Sequence, residues 1–425
     1  MKLNRRTFLG SMGALGALGP LSLLNPSRAY AAKGPAKHFV LMFARGGWDP
    51  TYVFDPKPDS SYVHTGVGQA SAFGNGMLWF DEGRPNVTEY FARYGSITSV
   101  VNGVNVPSIA HPSSTTRMLT GTRNASKPDI GAMIGHDLSD DAPMPYLDIG
   151  GTAYPGPYGA DMGYLGARNQ LKNLVIDSSA YRPPEGNASW ERHFSSAEQE
   201  VLVRDFVERR VERNAQERAA LGYNARINES YLLGLDRGHQ LPGYTDFFAD
   251  MTSAKTLEAQ TEIAVNALSA GVSRAVHMTA DGSFDTHDDN TEQIAQYDQT
   301  FAGLMLLMGL LETTPSRYGG MLIDDTVVML VSEMGRTPLL NGDGGKDHWP
   351  FTSSLIAGCG IRGNTIVGGS DETFAGRTVD LQTGVPSDNG ELLNNEYMLA
   401  GVLELFGIDP SRHLPDIIPC RGFHA

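Results

Sequence analysis

Residues 273–332 read SRAVHMTADGSFDTHDDNTEQIAQYDQTFAGLMLLMGLLETTPSRYGGMLIDDTVVMLVS, and their rhythm sets the fold class. Residues 273–280 are an apolar run of strand length, and 281–290 form a polar loop. Residues 291–311 have the length and content of a helix, and 325–332 are a second buried strand. The Met and Leu stripe from Leu304 to Leu311 reads as core packing, not as a cofactor contact. Strand, helix, strand predicts a parallel βαβ unit with a right-handed crossover.

The same alternation extends outward. HFVLMFA (38–44) is a strand stopped by Arg45-Gly46-Gly47; 97–106 is a second, followed by a short helix near 113–119; 144–150 is a third. Residues 257–269 form a helix and 353–357 a further strand. Residues 189–221 are charged and helical, with Leu202, Phe206, Val207, Val211 and Ala215 on one face and Gly222 as stop signal. The expectation is an α/β fold with a doubly wound, mostly parallel sheet. Residues 32–425 form one domain with a helical insertion around 187–270.

Residues 1–31 stand apart from this pattern. Arg5-Arg6 precede a mildly apolar, glycine-bearing run, and Ala29-Tyr30-Ala31 closes it. That is the layout of a twin-arginine signal peptide with an A-x-A cleavage site. The run falls short of the roughly 20 apolar residues of a membrane span. The expected destination is therefore the periplasm or beyond, with the twin-arginine translocase as export partner and no permanent membrane anchor. Lys2, Arg5, Arg6 and Arg28 leave with the leader, so 29 basic residues face 48 acids, a formal charge of −19. So acidic a chain, without a basic stripe, argues against nucleic acid as partner. Two cysteines, Cys359 and Cys420, are too few for a disulfide framework.

Four post-strand loops carry the residues suited to chemistry. ARGGWD places Asp49 after the first strand. SIAHPSSTTRMLTG brings His111, Ser113, Ser114 and Arg117 to a helix start, where free amides and the dipole favour an anion. GSFDTHDD carries Asp285 and His287, two apart and so on one side of an extended loop. SEMGRTPLLNGDGGKDHWP holds Glu333 and the adjacent Asp347-His348. Carboxylates and imidazoles together suit a divalent cation. The calcium-loop spacing of an EF-hand is not met. Each loop alone also reads as a turn or a helix cap, and only the four together point to a metal.

These motifs, in this order, resemble the Tat-exported bacterial family called domain of unknown function 1501, which looks related to the alkaline phosphatase and sulfatase superfamily. The resemblance implies a metal site at the strand C-termini with Asp49, Asp285, His287, Glu333, Asp347 and His348 as ligands. It implies one or two divalent ions, zinc foremost, with manganese, calcium or magnesium as alternatives. Aligning Met118-Leu119-Thr120-Gly121 puts His111 where those enzymes carry a Ser, Thr or modified Cys nucleophile. His111 is then a ligand or a nucleophile, with Ser113 and Ser114 as hydroxyl alternatives. Thr115 stands at the sulfatase arginine position, and Arg117 is an anion clamp or a packing residue. The implied function is hydrolysis of phosphate or sulfate esters, the substrate an anionic small molecule or glycan ester. The alternative is a non-catalytic protein that binds an anionic glycan or a protein partner through a relict metal pocket.

Overall fold

The computed structural model describes residues 34–139, 141–165, 197–219, 225–249 and 254–425. The leader at 1–31 and the stop signal Gly222 lie outside the described residues. Among the described residues, eight strands form one sheet: β1 (His38–Phe43), β2 (Thr98–Asn105), β3 (Tyr146–Asp148), β4 (Met162–Tyr164), β5 (Ala275–Thr279), β6 (Thr326–Val331), β7 (Phe351–Gly358) and β8 (Thr365–Gly368). Their order is β8-β2-β7-β6-β1-β5-β3-β4. Both β1 (HFVLMF) and β6 (TVVMLV) are buried at every residue, as central strands covered on two faces must be.

All neighbours pair in parallel except β7, which runs antiparallel to both β2 and β6. The sheet is thus mostly parallel, as expected, and the sequence did not mark which strand runs the other way. A buried strand has the same composition in either direction, so its sense is invisible in the run itself. The reversal has a consequence for the site, because β7 starts at the edge where the parallel strands end: Phe351 pairs with Asn105, the last residue of β2.

Alternation within β1 sends Phe39, Leu41 and Phe43 to one core with α2 (His111–Thr120), α3 (Ile130–Asp137) and α8 (Asn395–Leu405). The opposite face receives Val40 and Met42. There α6 (Leu257–Ala270) packs on β5 and on α7 (Glu292–Thr313), and α7 packs on α1 (Pro85–Tyr94). Local sequence explains the helix ends: Asp129 caps α3 by accepting from the Ala132 amide, and Thr256 caps α6 through Ala259. The stretch 187–270 holds α4 (Ala197–Ala219), α5 (Ala225–Gln240) and α6. On α4, Leu202 and Phe206 are 65% and 54% exposed, so the apolar face read from the sequence does not enter the core at these positions. A hairpin, Gln69–Phe73 with Gly76–Phe80, escaped the sequence reading because its first strand is small and half polar. Cys359 and Cys420 are both buried and unbridged, with burial raising each thiol to about 11. No helix among the described residues is long and apolar enough to cross a membrane.

His38 opens β1 with zero exposure and no hydrogen-bond partner on either ring nitrogen. Burial, with the charges of Arg274 and Arg317, lowers its pKa to about 3. The unfolded chain takes up this proton near pH 6.5 and the folded chain resists it. Stability is therefore full above pH 6.5 and falls as pH drops toward 3, by at most about 1.4 kcal/mol per pH unit. His38→Leu should flatten this limb, cutting the loss between pH 7 and pH 5 by about 2 kcal/mol in urea melts. Equal losses in variant and wild type would contradict the assignment.

Candidate metal centre

The loops after β1, β2, β5 and β6 and the loop before β7 meet at one sheet edge. Asp285 lies at their centre. Its Oδ2 is 3.4 Å from His111 Nε2, and its Oδ1 is 3.3 Å from His348 Nε2. The three residues bring ligand atoms within 4.8 Å of one another. His287 flanks the group, with Nε2 3.1 Å from Asp285 Oδ1 and 3.0 Å from His348 Nε2.

The second ring nitrogen of every histidine is tied down. His111 Nδ1 lies 2.8 Å from Glu333 Oε1, His287 Nδ1 3.2 Å from Asp347 Oδ1, and His348 Nδ1 2.7 Å from the Ile109 carbonyl. These partners accept, so Nδ1 is assigned the proton and Nε2 keeps its lone pair. Three such lone pairs therefore turn toward one carboxylate. His111 Nε2 is buried and has no hydrogen-bond partner. Separations of 3.0 to 3.4 Å match the ligand spacing of about 3.3 Å expected around a tetrahedral ion with bonds of about 2.0–2.1 Å. An acceptor behind each imidazole is the usual support of a metal-ligating histidine. By donor chemistry and geometry, His111, Asp285 and His348 fit a divalent ion, with His287 as a fourth donor.

Local structure explains the convergence. Arg336 and His348 sit opposite each other in a two-residue antiparallel ladder, so both side chains reach the same carboxylate. Arg336, with zero exposure, donates to Asp285 Oδ1 at 2.6 Å, to the Gly47 carbonyl at 2.7 Å, to the Lys346 carbonyl at 3.0 Å, and to the Gly46 carbonyl. Burial alone would raise the Asp285 pKa, but the hydrogen bond and charge of Arg336, joined by His348 and His111 in their protonated forms, bring it to about 2. The Glu333 hydrogen bond raises the His111 imidazole above its ordinary value, against the opposing pull of burial and Arg336.

Several residues read from sequence as ligands take other places. Glu333 is buried behind His111 and accepts from the Gly46 amide and from Ser332 Oγ, so its oxygens are committed. Asp347 backs His287. Asp49 is fully buried against Lys346, with Nζ 2.7 Å from Oδ2. The dense donor set around Asp49 was not visible in a motif that ended at its own loop. Ser113 is exposed, whereas Ser114 is buried with an unpartnered Oγ. Arg117 lies six residues along α2, about 240° around the helix from His111, and the groups it senses are Arg123 and Glu396. Arg336 escaped the sequence reading; its place directly after a post-strand Glu-Met-Gly was the available signal.

Gly46 adopts φ +104°, and a Cβ there would lie 2.5 Å from the Asp285 amide nitrogen. Gly46→Ala should cost about 2 kcal/mol or more from backbone strain and collision, measured by urea unfolding. Unchanged stability would show that the loop tolerates the crowding inferred here.

Among curated proteins, none matches the chain. Solved structures similar to it include a protein in the alkaline phosphatase superfamily from Vibrio parahaemolyticus, at 11% identity and TM-score 0.40, covering 98% of this chain and 78% of the other. A phosphonate monoester hydrolase from Silicibacter pomeroyi is similar at 9% identity and TM-score 0.39, covering 91% and 77%. Another, from Agrobacterium radiobacter, is similar at 11% identity and TM-score 0.36, covering 92% and 78%. A family model described as "Protein of unknown function (DUF1501)" matches residues 36–414, and the chain belongs to that family.

Proposed function

We propose that this chain is an exported, metal-dependent hydrolase of phosphate or sulfate esters. The observation that carries the reading is the convergence of three imidazole Nε2 atoms on Asp285, each ring held from behind at Nδ1. His111, Asp285 and His348 would hold the ion, zinc by the character of the donors, with His287 beside them. When bound, a divalent ion supplies Lewis acidity toward an ester oxygen.

The chain's own residues do the rest. Glu333, Asp347 and the Ile109 carbonyl keep the imidazoles in one tautomer and orientation. Arg336 fixes the Asp285 rotamer and keeps it ionised. His111 begins α2, so an anionic group at the site meets the positive end of that helix. Side chains of His287 and Asp285 are 40% and 38% exposed, which leaves room for substrate to approach. With His111 engaged as a ligand, water is the attacking group. Export rests on the twin-arginine pattern of residues 1–31.

His111 at the start of α2, where a hydroxyl would stand in the resembled enzymes, also favours a second reading, binding of an anionic glycan or protein without turnover. Activity separates the two.

Metal analysis of purified protein, reconstituted with zinc or manganese, should find bound ion in the wild type and none in Asp285→Ala or His348→Ala. Glu333→Gln should retain the ligands but weaken affinity about 10–100-fold. A wild type that binds no metal sinks the proposal. In a screen of phosphate mono- and diesters and sulfate esters, His111→Ala should lose at least about 90% of turnover, since ligand loss removes the centre. Metal retained without turnover of any ester would select the binding reading.

A further inference from the structure

Asp49 has every acceptor site filled from within the protein. Its Oδ1 accepts from the Thr51 amide at 3.0 Å and the Thr51 hydroxyl at 2.8 Å. Its Oδ2 accepts from the Asn290 amide at 2.7 Å and lies 2.7 Å from Lys346 Nζ. A carboxylate offers about four lone-pair directions, and four donors occupy them. Lys346 is as buried as Asp49, and its ammonium also donates to the His64 carbonyl at 2.8 Å. Among the described residues, the grouping able to hold an ion is His111, Asp285 and His348, and Asp49 is not in it.

We propose that the protein is built for one metal ion per chain, with the Lys346 ammonium serving as the permanent cation at the carboxylate that would otherwise take a second. This rests on the metal centre proposed above. The charges support it. Asp285, Glu333 and Asp347 carry three negative charges, and Arg336 with one divalent ion balances them. Asp49 and Lys346 balance each other. A second ion at Asp49 would have to expel an ammonium that has no exposure, leaving a buried cation unpaired. Lys346 is also two residues from His348, so the loop that delivers a ligand to the first position delivers the cation to the second. Withdrawing Lys346 would drag on His348.

Equilibrium dialysis of the purified protein against Zn2+ alone, and separately Mn2+ alone, with metal counted by mass spectrometry, tests the inference. The expected result is one ion per chain in the wild type, and one in Asp49→Asn. Asp49→Asn leaves Lys346 buried without its charge partner, so the double variant Asp49→Asn/Lys346→Met, which removes both charges, provides the same reading in a fold without that penalty. It should also bind one ion. Two ions per chain in the wild type, or loss of the ion in a folded double variant, overturns the proposal. No ion in the wild type overturns the metal centre itself, a result distinct from either of those.

Discussion

A guanidinium with no exposure has to find its partners inside the protein, and Arg336 finds them on three separate loops. It binds the Asp285 carboxylate, the carbonyls of the Gly46-Gly47 turn and the Lys346 carbonyl. The carbonyls of the buried residues Gly46, Gly47 and Lys346 would lose this donor without it, at a cost of about 1–3 kcal/mol apiece. The bend after β1 follows from the same constraint, because the two glycines take φ of +104° and +75° to turn their carbonyls toward the guanidinium while Cβ-free backbone passes the Asp285 loop. One buried charge thereby sets the relative positions of the first-strand loop, the Asp285-His287 loop and the Lys346-His348 loop.

Around that fixed point the electrostatics separate into two compartments. One surrounds Asp285, whose pKa the hydrogen bond and charge of Arg336 help hold down to about 2. There the histidines present lone pairs toward partly exposed space, with acceptors behind them. The other is Asp49 with Lys346, sealed and self-neutralising. The first has the character of a place for an exchangeable cation; the second already contains its cation as a side chain. A helix N-terminus at His111 adds a preference for anions at the open side.

Much of the architecture was legible from the chain alone. Short, mostly apolar runs such as HFVLMF and TVVMLV, of strand length and bounded by turn residues, fit a buried strand, and the strand-helix-strand order from 273 to 332 admits few arrangements besides a parallel crossover. Other elements were hidden for definite reasons. Antiparallel β7 has no compositional mark of its direction. The Gln69–Phe80 hairpin buries little, so its alternation is weak. On α4 the apolar spacing is present, yet Leu202 and Phe206 stay exposed, since periodicity marks a face without saying what covers it.

The site divides along the same line. Sequence by itself determined which residue types stand in the post-strand loops, and so marked Asp285, His287 and His348 as carboxylate and imidazole donors, without showing that their loops meet. Tertiary structure decided which of them face one another. Whether an acid is a ligand or a brace depends on what lies within about 3 Å of each oxygen. For Asp49 that partner is Lys346, nearly three hundred positions away, and for Glu333 it is His111, 222 positions away. Reversal of β7 brings Asp347-His348 to the edge where β1, β2, β5 and β6 deliver their loops. Local sequence encodes the donors, and only the closure of long loops in space encodes how they are shared.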